Sequence, residues 1–119
     1  MDVKSVIVHG NFFCITVKEL DLFKSAKAMG DILIVLIDSD EKISKKQKLL
    51  NSTEDKRREL VEELRCVDIV TVIDCTLVEV LETVNANILM IPRSTMLQEE
   101  YQETTKICEE KGIKVEIKW

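Results

Sequence analysis

Val3–Gly10 reads VKSVIVHG, Thr16–Gly30 reads TVKELDLFKSAKAMG, and Asp31–Asp40 reads DILIVLIDSD. The first is an apolar strand of about Val3 to Val8 that runs into a glycine turn. The second is a helix of about Val17 to Met29, with Leu20, Phe23 and Ala26 on one face and Gly30 placed to end it. The third opens with Ile32 to Ile37, a continuous apolar run of the kind covered on both faces of a parallel sheet. Strand, glycine turn, helix and strand in this order form a unit that commonly presents a phosphate-binding turn after its first strand.

The same alternation continues. Lys42 to Lys48 reads as a basic loop, and Ser52 with Asp55 reads as a capping pair for a second helix carrying a Leu60, Val61, Leu64 stripe. Val67 to Ile73 is a third strand. Thr76 and Glu79 form a capping box for a short third helix that ends near Asn85. Ile88 to Ile91 is a fourth strand, stopped by Pro92. A fourth helix runs from about Met96 to Lys111, Gly112 takes its C-terminal cap, and Lys114 to Ile117 is the last strand. The expected fold is one doubly wound, Rossmann-like α/β domain over residues 1–119. It has a five-stranded parallel sheet in the order 3-2-1-4-5 with helices on both faces. Ligands of such sheets bind beyond the carboxyl ends of the strands, where the strand order reverses.

Composition narrows the function. A net charge of −5 argues against nucleic acid and anionic membrane as partners, because both call for a basic footprint. No apolar run is long enough to span a bilayer, and the first residues lack the pattern of a signal peptide, so a cytoplasmic location is expected. Cys14, Cys66, Cys75 and Cys108 form no C-x-x-C pair and His9 is the only histidine. Free thiols and no metal site are therefore expected. Asp38, Asp40 and Glu41 are expected as polar loop residues at a strand end rather than as a magnesium site.

Three stretches together resemble the cytidylyltransferase-like nucleotidyltransferases. VIVHGNFF (6–13) is similar to that family's first strand followed by Gly-Thr-Phe-Asp. AKAMGDILIVLIDSDE (26–41) is similar to its Ala-Lys-x-x-Gly-Asp-x-Leu-x-Val-x-x-x-Ser-Asp-Glu. KKQKLLNSTEDKRRELVEELRCVDIV (45–70) resembles a lysine-bearing loop, an arginine-containing helix and a Val-Asp-x-Val strand. The resemblance implies a site at Gly10, Asn11 and Phe12, with Lys46 and Arg57 contacting phosphate. It also implies Mg with CTP or ATP as cofactors of an active member, a nucleotide or phosphorylated small molecule as ligand, and a homodimer. Without the resemblance, Lys45, Lys46 and Lys48 read as a solvated loop and Arg57 as a surface helix residue.

The family's signature is His-x-Gly-His at the start of the first helix. The resemblance implies that its histidines hold the triphosphate and stabilise charge during attack on the α-phosphorus. Aligned on Gly10 and Phe12, those positions are Thr16, Lys18 and Glu19, and the family's aspartate after the phenylalanine is Phe13. His9 lies outside the signature. Thr16-x-x-Glu19 is itself a capping box, worth about 1 kcal/mol at a helix start. It puts a carboxylate where a triphosphate would sit. Two like charges ~4 Å apart repel by roughly 1 to 4 kcal/mol at effective dielectric constants of about 80 to 20.

Three readings stand on the sequence. The first is a nucleotidyltransferase-like domain that has lost catalysis and acts as a binding or scaffolding module. The second is a divergent active enzyme that transfers a nucleoside monophosphate from CTP or ATP and releases pyrophosphate. The third is a generic flavodoxin-like domain with another ligand or a protein partner.

Overall fold

A computed structural model describes residues 3–12, 15–44, 53–93 and 99–118 of the chain. Phe13, Cys14, Lys45, Lys46, Lys48, Ser52 and Met96 lie outside the described residues. The elements are β1 (Ser5–Gly10), α1 (Val17–Ala28), β2 (Ile32–Asp38), α2 (Asp40–Ser44), α3 (Glu54–Glu62), β3 (Ile69–Ile73), α4 (Leu77–Thr83), β4 (Ile88–Pro92), α5 (Glu99–Lys111) and β5 (Lys114–Lys118). The strands form one sheet in the order β3-β2-β1-β4-β5, with every neighbouring pair parallel. The order reverses between β1 and β4, so the crevice expected to take a ligand opens beyond Gly10 and Pro92.

Period-two alternation divides β1 between two cores. Val6 and Val8 pack with Leu22, Phe23 and Ala26 of α1 and Val61 of α3. Ile7 faces the other way, toward Leu77 and Leu81 of α4 and Tyr101 and Cys108 of α5. The continuous apolar run of β2 follows from the same geometry, because each face of the sheet carries helices.

Several boundaries and faces differ from the sequence reading, each for a packing reason. β1 does not stop at Val8. It runs through His9 and Gly10, which pair in register with Leu36 and Ile37 of β2. In α1 the buried face is Leu22, Phe23 and Ala26, and Leu20 is only half-buried. In α3, Leu60 is 50 % exposed, and the buried face runs through Arg57 and Val61. The helix therefore turns a charged side chain inward in place of a leucine. Its described N-cap is Thr53, whose hydroxyl accepts from the Lys56 amide at 3.4 Å. Lys42 belongs to a helix, α2, rather than to a basic loop, and it is buried. Ser39 caps that helix by accepting from the Lys42 amide at 3.0 Å, and acidic residues fill its first turn.

Chain ends of the strands are fixed by specific polar contacts. Asp68 accepts from the Leu33 amide at 2.8 Å and from Lys27 Nζ at 2.6 Å, which sets the start of β3 against β2. The Lys27 bond and the Leu33 amide hold the Asp68 carboxyl below its usual range. Gly112 sits at φ 75°, the left-handed cap that joins α5 to β5. Gly30 answers a different need. A Cβ there would lie 2.7 Å from Val6 Cγ2 and 2.9 Å from the Lys4 carbonyl oxygen, because α1 hands over to β2 directly against the start of β1. Gly30→Ala is therefore expected to destabilise the fold by about 1 to 3 kcal/mol through overpacking. Equilibrium urea unfolding checks this, and an unchanged midpoint would show that the Lys4–Val6 segment yields freely.

Candidate functional site

The turn after β1 is built from Gly10, Asn11 and Phe12. Phe12 takes φ 51°, a left-handed conformation rarely adopted by a bulky residue. This folds its ring back under the turn, where it packs edge-on against Phe23 of α1 at 5.2 Å between ring centroids. A Cβ at Gly10 would meet the Phe12 ring at 3.0 to 3.3 Å. A side chain there would press on the chain's own phenylalanine ring, which covers the Gly10 α-carbon.

Arg57 reaches this turn from α3. Its Nη1 donates to the Asn11 carbonyl at 2.6 Å and to the Asp38 carbonyl at 2.8 Å, and its Nη2 donates to Asp40 Oδ1 at 2.8 Å. At 1 % exposure it is one of the most deeply buried side chains in the molecule. The expectation of a surface helix residue is overturned. The guanidinium ties the turn after β1, the end of β2 and the start of α2 into one piece. A planar fork spreads its donors over two nitrogens in fixed directions, where a lysine presents its three from a single point. The structure therefore brings Arg57 to the Gly10–Phe12 turn and engages it with protein oxygens there. Lys46, the other expected phosphate contact, lies outside the described residues.

At the start of α1 the capping box is closed. Glu19 Oε1 accepts from the Thr16 amide at 2.7 Å and from the Thr16 hydroxyl at 2.5 Å, while the Thr16 oxygen accepts from the Lys18 amide at 3.2 Å. Two helix-start donors that could bind an anion are directed to the chain's own side chains. Partial burial opposes ionisation of Glu19. The hydroxyl and amide of Thr16, with the Lys18 charge, outweigh it and hold the carboxyl below its ordinary value of 4.5.

Sequence reasoning missed the cluster on the other face of the sheet. His9 is buried, and its Nε2 lies 2.6 Å from Asp38 Oδ1. The same Asp38 oxygen accepts from Lys42 Nζ at 2.7 Å. His9 Nδ1 lies 2.9 Å from the Tyr101 hydroxyl, which also donates to the His9 carbonyl at 3.2 Å. Burial opposes ionisation of Asp38, and the contacts from His9 and Lys42 overcome it and hold its carboxyl below the usual range. Asp38 and Asp40 are thus ion-paired groups, to Lys42 and to Arg57, rather than simple polar loop residues. Among the described residues no group of three or more His, Cys, Asp or Glu side chains is arranged to hold a metal. Cys66, Cys75 and Cys108 carry free thiols, and Cys108 is buried. The alternation of Ile7 and His9 on one face of β1 was the available signal, since it aims the histidine at α5 rather than at α1.

A family model described as cytidylyltransferase-like matches residues 7–118 of the chain. No curated protein matches the sequence. Among solved structures the chain is similar to a lipopolysaccharide core biosynthesis protein from Thermoplasma volcanium GSS1. That similarity has a TM-score of 0.79 and 23 % identity, over 98 % of this chain and 94 % of the other. It is also similar to a protein of unknown function from Archaeoglobus fulgidus, with a TM-score of 0.73 and 15 % identity over 97 % and 89 % of the two chains. At these identities the likeness is one of fold.

Two measurements test the site's construction. Arg57→Met strands the Asn11 and Asp38 carbonyls and the Asp40 carboxylate, and is expected to cost about 3 kcal/mol or more in urea unfolding. An exposed arginine held in reserve for a ligand would cost within about 0.5 kcal/mol. Glu19→Gln is expected to lower stability at neutral pH, because a carboxyl held below its ordinary 4.5 stabilises the fold above that value. The contribution is lost as pH falls through the lowered value, so wild type and variant should converge in acid. A difference that stays constant from neutral pH down to about pH 3 would remove the carboxylate from the cap.

Proposed function

The chain belongs to the cytidylyltransferase-like family, and we propose that it acts there as a catalytically degenerate module for binding or scaffolding. The observation that carries the reading is the closed capping box of Thr16 and Glu19, at the positions where the family resemblance places two phosphate-handling histidines. Phosphoryl transfer relies mostly on positioning and on stabilising charge that develops at phosphate oxygens. A helix start whose donors are taken up internally, with an ionised carboxylate beside them, works against both. The Gly10 turn is closed over by Phe12, and the Arg57 guanidinium is committed to Asn11, Asp38 and Asp40. These two features support the same reading.

The alternative is an active nucleotidyltransferase that moves a nucleoside monophosphate from CTP or ATP to a phosphorylated small molecule. It draws on the amides at the start of α1, on Lys46 and on Arg57 for positioning and charge stabilisation. The reading also carries a homodimer, as the family resemblance implies, and a cytoplasmic location. No helix of the described residues is long and apolar enough to cross a membrane.

Pyrophosphate release with each nucleoside triphosphate, magnesium and a panel of phosphorylated acceptors is expected to stay at background. Turnover well above background would establish the active alternative. Thr16→His, Lys18→Gly and Glu19→His in one chain reopen the helix start, and CTP or ATP is then expected to raise the melting temperature where it does not for wild type. Wild type stabilised to the same degree would show that the cap does not obstruct nucleotide.

A further inference from the structure

The buried His9 cluster lies on the face of the sheet opposite Thr16 and Glu19, and the proposed function does not use it. It joins four elements: β1 through His9, β2 through Asp38, α2 through Lys42 and α5 through Tyr101. We propose that His9 is a positioning residue, fixed as the Nε2–H tautomer, that locks the start of α5 to the turn after β1 through the Tyr101 hydroxyl.

The contact distances favour one placement of the protons. An ionised carboxylate can only accept, so a 2.6 Å approach between Asp38 Oδ1 and Nε2 requires a proton on Nε2. With the opposite tautomer, two lone pairs would face one another at that distance. A second proton, on Nδ1, would place an imidazolium with its Nε2 3.5 Å from the Lys42 ammonium in a buried site. Asp38 already accepts from that lysine at 2.7 Å, so the second cation would sit beside the first. Nδ1 is then an acceptor, and the hydroxyl 2.9 Å away is its donor. The Tyr101 proton is shared with the His9 carbonyl at 3.2 Å. The chain of donors therefore converges on Asp38 from Lys42 on one side and from Tyr101 through His9 on the other. Hydrogen bonds arranged head to tail in this way reinforce one another.

Asp38 gives the cluster its reach. Its carboxylate belongs to the His9 network, and its carbonyl accepts from Arg57, which also holds Asn11. The start of α5 and the candidate ligand turn are therefore braced against the same residue from opposite faces of the sheet. This inference does not depend on whether nucleotide binds.

His9 is the only histidine, so its imidazole nitrogens can be assigned without ambiguity by long-range proton–nitrogen correlation in the intact wild-type chain. At neutral pH the expected spectrum shows a protonated Nε2 and an unprotonated Nδ1. Asp38→Asn is expected to remove that preference, whereas Tyr101→Phe keeps it. In Tyr101→Phe the loss of one buried hydrogen bond is expected to speed amide exchange about fivefold in the second turn of α5, whose amides bond back to the first-turn carbonyls, and at Gly10–Phe12, with β3 unchanged. His9→Gln, which can still bridge Asp38 and Tyr101, is expected to retain more of this protection than His9→Ala. A proton on Nδ1 in the wild-type spectrum would overturn the proposal. So would exchange in Tyr101→Phe that is unchanged or rises uniformly across the fold.

Discussion

Buried strands of a parallel sheet end in carbonyl groups that have no next residue in the ladder to bond. β1 and β2 end side by side beneath the candidate site, and the Arg57 guanidinium takes the Asn11 and Asp38 carbonyls there. Arg57 is the deeply buried partner, with Asp38 half-buried and Asn11 exposed; a buried guanidinium is costly unless its donors find acceptors, and this requirement shapes what surrounds it. α3 must turn Arg57 inward and leave Leu60 in solvent. Asp40 must stand at the start of α2 to balance the charge. The turn after β1 is consequently held in one place.

The opposite face repeats the logic with different chemistry. His9, Lys42 and Tyr101 converge on the Asp38 side chain, while Arg57 holds its backbone. Two buried networks thus meet at one residue at the end of β2. Both Nη atoms of Arg57 have acceptors while its buried Nε has none among the described residues, and a shift of either network would leave further desolvated groups without partners. The carboxyl end of the sheet is accordingly a rigid platform. At the neighbouring start of α1, the Thr16–Glu19 box makes the backbone bonds that a bound anion would otherwise make.

Much of the fold was legible in the sequence, because the signals involved are local. The alternation of apolar runs with helical stripes gave five strands in their order, and connections of one hand left few ways to arrange them. Thr16 with Glu19, Thr76 and Gly112 act within one helical turn and read correctly as caps. Failures came where a residue's environment is made by distant segments. Leu60 looked like core and Arg57 like surface, since an apolar stripe carries no record of two strand ends waiting for donors. Lys42 read as the start of a basic loop because Asp38, four residues earlier, did not reveal that the two would pair in a buried site. The helix at Asp40–Ser44 was signalled by Ser39 followed by two acids, but it is only five residues long.

By itself, the sequence determined the architecture and the capping box of Thr16 and Glu19 at the start of α1, because periodicity and capping chemistry are properties of neighbouring residues. Only the tertiary structure decided what the charged residues do. It placed Arg57 against Asn11 and Asp38, and His9 against Asp38 and Tyr101 across 29 and 92 positions of chain. The physical reason is that the state of a buried polar group depends on which partners fold around it, and those partners come from elements far away in the sequence.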